Sequence, residues 1–169
     1  LSPQGVRDRK IVMEISRTDT TKRKDVLLKA FAQAHENVPD SLLVVSIDES
    51  EEKLAKELRG LILSLGLQGS VATVGYVWDR LPMLHAVTDI YCTPSIMEGF
   101  GMSVQEAAAT GVAVVASDCV PFATEYLVGE NPRDLPIEGS GRSLSVGEAA
   151  VIVPADEING FAYALEMLL

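Results

Sequence analysis

Short apolar runs alternate with amphipathic stretches along the whole chain. The runs are Ile11 to Ile15, Leu42 to Ile47, Val71 to Val74, Ile90 to Cys92, Val112 to Ala116 and Ala150 to Val153. They are rich in Val and Ile, which predicts strands buried on both faces, as in a parallel sheet. Between them, apolar positions recur at helical spacing. Leu54, Leu58, Leu61, Ile62 and Leu65 share one face, behind Ser50 as N-cap and with Glu51 and Glu52 in the first turn. Leu27, Phe31 and Ala34 mark a helix after Lys24. Leu81 to Ala86 is a short apolar helix. Met102 to Thr110 is Ala-rich and runs into Gly111, a suitable C′ residue. Ile158, Phe161, Ala162, Leu165 and Leu168 form the last face, behind Asp156 as cap. Strand then helix, repeated about six times, predicts a doubly wound α/β domain, a parallel sheet with helices on both faces. One stretch breaks the rhythm. Gly129 to Gly147 carries Gly139, Gly141, Pro132, Pro136 and three serines without an apolar period. It reads as a long surface loop, either a tolerated insertion or a flap over a ligand.

Composition places the chain among ordinary globular domains: 169 residues, 47% apolar and 22% charged. That length buries a full core without staples. No second domain is discernible, so residues 10–169 are read as one unit and residues 1–9 as a linker remnant. The opening Leu1 fits a piece of a longer polypeptide. The net charge of −10 argues against nucleic acid and against an acidic membrane surface. It leaves room for one small phosphate ligand, because a few local cations override a distant net charge. No apolar run approaches the ~20 residues of a membrane span, and no basic-then-apolar leader is present, so a cytoplasmic protein is expected. Cys92 and Cys119 stand apart, and no His, Cys or Asp cluster has metal spacing, so neither a disulfide framework nor a metal site is expected.

In open α/β sheets, ligands bind beyond the carboxyl ends of the strands where the strand order reverses. For a 3-2-1-4-5-6 order, that point lies between the first and fourth strands. The two segments that follow those strands are Ser16 to Lys24 and Thr93 to Ser103. Arg17 and Lys22 suit a diphosphate, as a guanidinium fork plus an ammonium; the alternative is a solvated basic patch. Gly99 and Gly101 flank Phe100 just before a helix. They read as a tight turn with Phe100 in the core, or as a place where a ligand meets the backbone amides of Gly101, Met102 and Ser103 at the helix N-terminus. Glu98 interrupts a small-residue turn and can accept from sugar hydroxyls. Glu106 reads either as a solvated helix face or as an acceptor for ribose hydroxyls. His85 reads as a satisfied core or surface histidine rather than a catalyst, and Cys92 as packing. Tyr76 and Trp78, after the third strand, border a base pocket or simply pack an edge.

Glu98-Gly99-Phe100-Gly101-Met102-Ser103-Val104-Gln105-Glu106-Ala107 resembles the E-x7-E segment of retaining GT-B glycosyltransferases of the group 1 or GT4 family. Pro94-Ser95 before it and Gly111 to Ser117 after it agree. Ser16-Arg17-Thr18-Asp19-Thr20-Thr21-Lys22 resembles that family's S-R-x-D-x-x-K. The register runs from about Ile11 to Leu169. The resemblance implies a Rossmann-like, C-terminal, donor-binding domain. It implies a diphosphate held by Arg17 and Lys22, a sugar held by Glu98, backbone contacts from Phe100, Gly101 and Met102, and a ribose held by Glu106. The donor is a nucleotide diphosphate sugar, linked to UDP or GDP, with no cofactor and no metal ion. It also implies an N-terminal acceptor-binding domain as partner, which has no counterpart in these residues, so the isolated chain is expected to transfer no sugar.

The sequence departs from the family pattern in places. Thr18 replaces an apolar residue. Arg23 stands where Gly or Asn often follows the Lys. The loop Ser117 to Glu125 lacks a Gly-Gly pair. Two other readings compete: a non-catalytic nucleotide-binding module of the same fold, and another GT-B enzyme such as a sugar epimerase. Retention of both Lys22 and Glu98 favours the transferase.

Overall fold

The computed structural model describes residues 9–75 and 77–169. The strands are β1 (Lys10–Glu14), β2 (Ser41–Ser46), β3 (Val71–Val74), β4 (Ile90–Thr93), β5 (Ala113–Ser117), β6 (Arg133–Pro136), β7 (Ser143–Val146) and β8 (Ala150–Val153). The helices are α1 (Lys24–Asn37), α2 (Glu52–Ser64), α3 (Leu81–His85), α4 (Met102–Ala109) and α5 (Ile158–Leu168). Most of the 1–9 linker remnant lies outside the described residues, as do Tyr76 and the Trp78 side chain.

The sheet order is β3-β2-β1-β4-β5-β8-β7-β6. β1, β2, β3, β4, β5 and β8 run parallel and correspond to the six apolar runs. Their order reverses between β1 and β4, where the sequence pattern puts it. Alternate residues of each strand feed two cores. Val12, Leu43, Val45, Val115 and Val153 pack with Leu27 and Phe31 of α1, Leu58 of α2 and Phe161 of α5. Met13, Val44, Tyr91, Val114 and Ala116 pack with Val104 and Ala107 of α4 on the other face. Burial on both faces is what selects Val and Ile runs without alternation. Among the described residues, no helix is long and apolar enough to cross a membrane.

Three local expectations need correction. The Gly129–Gly147 stretch is not a loop. It folds into the antiparallel hairpin β6–β7, and β7 continues the sheet by pairing with β8, Ser145 opposite Ile152. The ladder fixes it to the sheet, so it is neither a free insertion nor a flap. It escapes a periodicity search because the strands are four residues long and one of them, β6, lies largely exposed. Ser50 is not the cap of α2. Asp48 caps a 3-10 turn over Glu49–Glu51, its carboxylate accepting the Ser50 amide at 2.8 Å, and α2 begins at Glu52. Asp156 does not cap α5, which follows Glu157; Asp156 has a left-handed backbone, φ 64°, and its carboxylate pairs with Arg23. Gly111 does end α4 as expected. Its φ is +81°, its amide donates to Ala108 O and the Val112 amide to Ala107 O, the two bonds of a Schellman close.

Candidate functional site

The loop after β1 is built by side chains capping backbone. Asp19 accepts from the Thr21 amide at 2.9 Å and from its hydroxyl, which closes a 3-10 turn over Thr20–Lys22. Burial pushes the Asp19 carboxyl up, but the Thr21 bonds and the charges of Lys22 and Arg17 outweigh it and hold it below the ordinary range. Thr18 is buried. Its amide donates to Asp48 Oδ2 at 3.2 Å and its hydroxyl accepts from the Asp48 amide at 2.9 Å. The residue that departs from the family pattern thus ties the loop to the end of β2. Arg23 has φ 49°. That left-handed backbone explains why Gly or Asn suits the position. Here the guanidinium is held by Asp25, at 3.1 and 3.2 Å, and by Asp156.

Beneath the loop lies a fully buried ion pair, Glu14 with Lys24 at 2.9 Å. The Lys24 ammonium donates to Ser16 O (3.0 Å), Ser46 O (2.6 Å) and Ser46 Oγ (2.8 Å). Its three protons are thereby used, so Glu14 Oε2 is held by charge rather than by a directed bond. Glu14 Oε1 accepts from the Ser16 hydroxyl. Neither residue figures among the sequence-level candidates. A signal was present: a carboxylate inside an apolar strand needs a buried partner.

The two candidate segments meet. Lys22 Nζ lies 2.5 Å from Glu98 Oε1, and the side chains are only 11% and 15% exposed. The Ile96 amide donates to Thr21 O at 2.9 Å, lacing the segments together through the backbone. Arg17 stands at the same loop with its side chain 84% exposed, its nearest acid being Asp19 at 4.0 Å. Gly101 has φ +101° at the start of α4, and a Cβ there would come within 2.8 Å of Val120 Cγ1. The turn therefore needs glycine on two counts. As first residues of α4, Met102 and Ser103 have amides without an intrahelical acceptor. Phe100 is not core. It is exposed, its ring edge-on to Phe122 at 5.3 Å and to Tyr126 at 6.1 Å, while its carbonyl accepts the Phe122 amide at 2.8 Å.

Two adjoining cavities define a groove over the ends of β1, β2 and β4. One, of about 330 Å³, is bordered by Ser16, Arg17, Ser46, Asp48, Gly75 and Val77. The other, of about 50 Å³, is bordered by Met102, Ser103, Glu106, Tyr91 and His85. Ile15 and Leu81 belong to both. The Tyr91 hydroxyl donates to Ile15 O at 3.0 Å, and burial, with the Glu14 charge behind it, pushes its ionisation up. Arg17 borders the larger cavity and Ser103 and Glu106 the smaller, whereas Lys22 and Glu98 border neither and pair with each other. The structure adds Asp48, whose capping pattern with Ser50 is legible in the sequence. His85 is a correction: it is buried, as one reading allowed, but neither ring nitrogen has a hydrogen-bond partner among the described residues. Cys92 packs in the core.

Residues 3–132 match the family described as glycosyl transferases group 1. The chain belongs to this family. Among curated relatives it is 33% identical over 114 residues to mannosylfructose-phosphate synthase of Agrobacterium fabrum, covering 64% of this chain and 25% of that protein. It is 32% identical over 162 residues to phosphatidyl-myo-inositol mannosyltransferase of Mycobacterium leprae, covering 95% and 37%. Among solved structures, Anabaena HepE in complex with UDP and glucose superposes with a TM-score of 0.76 at 25% identity, over 97% of this chain and 40% of that one. The chain thus spans a quarter to two fifths of these group 1 proteins. The sheet and its flanking helices match GT-B domains.

Proposed function

We propose that this chain is the donor-binding domain of a retaining hexosyltransferase, moving a hexose from a nucleotide diphosphate sugar to an acceptor. The observation that carries the reading is the Lys22–Glu98 pair, which joins the loop after β1 to the turn before α4 at the β1/β4 reversal. Two features of relatives support it: the mannosyl chemistry in two of their names, and HepE's complex with UDP and glucose.

The chemistry follows from the charges. As the bond between the sugar C1 and the diphosphate oxygen breaks, negative charge grows on the diphosphate. Arg17 and Lys22 stand ready to receive it, with the free amides of Met102 and Ser103 at the start of α4. The helix-end amides are fixed in place and need no reorganisation at that moment, which is why they lower the barrier. Glu98 accepts from hydroxyls of the transferred sugar, and the ammonium of Lys22 holds its carboxylate in place meanwhile. Glu106 accepts from the ribose. The acceptor oxygen then bonds to C1 on the face that the diphosphate left, and its proton passes to the departing diphosphate oxygen. In this reading the donor is linked to UDP or GDP, the chain's own side chains and amides carry the diphosphate charge without a cofactor, and an N-terminal domain supplies the acceptor site. The intact Lys22–Glu98 pair weighs against a module that only binds.

Calorimetric titration with UDP, GDP and ADP tests the reading. Binding confined to one base is expected, and Arg17→Ala abolishes it. Unchanged affinity in that variant would make the diphosphate assignment wrong.

A further inference from the structure

His85 ends α3, is 5% exposed, and has no hydrogen-bond partner among the described residues at either Nδ1 or Nε2. Buried ring nitrogens are seldom left so, because each has given up a bond to water. The imidazole borders the cavity of about 50 Å³ whose other polar walls are Ser103, Glu106 and Tyr91. Its ring centroid lies 6.1 Å from that of Tyr91, tilted by 38°. The Tyr91 hydroxyl is already committed to Ile15. Glu106 acts on His85 through its charge, opposing the effect of burial. The cavity therefore presents one uncommitted imidazole beside one carboxylate, in a space that admits groups no larger than a hydroxyl or two.

The donor–acceptor balance of that pair is specific. A carboxylate only accepts, whereas a neutral imidazole carries one donor and one acceptor. Together they complement a vicinal diol, in which one hydroxyl donates a hydrogen bond to the carboxylate and the other accepts one from the ring. A hydrogen in place of either hydroxyl leaves a buried polar atom unpaired, the circumstance in which small polar differences are discriminated most strongly.

We infer that His85 is a specificity-determining residue for the ribose of the bound nucleotide, supplying the hydrogen-bond donor that Glu106 lacks. This rests on the donor-site reading, and the test separates the two. The 169-residue chain is titrated calorimetrically with UDP, GDP and ADP and with their 2′-deoxy and 3′-deoxy counterparts, with thermal melts alongside. The unaltered chain is expected to prefer the ribonucleotide of its base at least about tenfold. His85→Phe should cut that preference to under about threefold by weakening the ribonucleotide, with the deoxy forms held within about twofold. His85→Gln, whose amide again offers a donor and an acceptor, should recover most of it. If His85→Phe does not fold, His85→Asn takes its place; its shorter amide withdraws from the cavity and should lose the preference likewise.

An unchanged preference in His85→Phe, or in His85→Asn where that replaces it, or equal weakening of both forms there, would overturn the inference, since a merely structural histidine acts that way. Arg17→Ala should abolish binding of the ribo and deoxy forms alike. If Arg17→Ala behaves so while the ratio ignores residue 85, only the His85 role falls. If no diphosphate binds, or Arg17→Ala has no effect, the donor site falls and takes the His85 role with it.

Discussion

Removing one half of the buried Glu14–Lys24 pair should be far more damaging than removing both. Lys24→Met leaves the Glu14 carboxylate at zero exposure, 2.9 Å from a side chain that no longer carries charge. It also withdraws the protons that bind Ser16 O and Ser46 O, the points where the β1 loop is anchored to β2. At an effective dielectric of about 20 the lost attraction is roughly 6 kcal/mol, against which the relief of desolvating an ammonium must be set. Measured truncations of buried pairs cost about 3–5 kcal/mol. For a domain of this size that lowers Tm by roughly 6–20 °C. Glu14→Leu with Lys24→Met removes both charges. The Ser16 carbonyl still accepts from Ser46 Oγ at 2.6 Å, so chiefly the Ser46 carbonyl is orphaned, costing about 1–3 kcal/mol. Urea unfolding followed by circular dichroism, with midpoints compared at constant m, reads the difference. The double variant should be more stable than Lys24→Met alone. If its loss equals the sum of the two single losses, the pair is not coupled and the electrostatic account is wrong.

Glycine substitutions should separate by backbone and space. Gly101→Ala meets Val120 at 2.8 Å with φ +101° and should lose about 1–3 kcal/mol, whereas Gly60→Ala, in open space inside α2, should gain up to about 1 kcal/mol; thermal melts compare them. Glu98→Gln should leave UDP or GDP binding within about twofold but weaken UDP-glucose or GDP-mannose by about tenfold, about 1.4 kcal/mol, because the carboxylate serves the sugar; equal weakening of nucleotide and nucleotide sugar would reassign it. Stability should fall in two acid steps. Burial holds the His85 pKa below 6.5, against the pull of Glu106, so the unfolded chain takes up a proton first and stability declines as pH drops below about 6.5. Asp19, Asp25 and Asp48, held below 3.8, lose their contribution only under that value. His85→Gln should erase the upper step in melts between pH 7 and 5, and its persistence would locate the titrating group elsewhere.

Local chemistry is what the sequence carries by itself. A strand buried on both faces must be a short apolar run, and a helix on a sheet must show its period, so β1 to β5 and β8 are readable one at a time. Gly111 ends α4 because the residue there must turn left-handed, and a few neighbouring bonds decide it. The crevice, too, follows from order: once the strands are counted, Ser16 to Lys22 and Glu98 to Glu106 fall at the reversal. Tertiary structure alone decided what depends on partners far along the chain. β6 and β7 became strands because β8 offers an unpaired edge, not because Arg133–Pro136 or Ser143–Val146 prefers to be extended. Asp156 left the helix it precedes for a guanidinium 133 residues earlier. Lys22 met Glu98 across 76 residues, and Glu14 and Lys24 became one buried unit between a strand and the next helix. His85 sits buried only because of the walls that α4 and β4 close around it. Propensity acts between neighbours, whereas the desolvation and pairing of charges depend on whatever the fold places beside them.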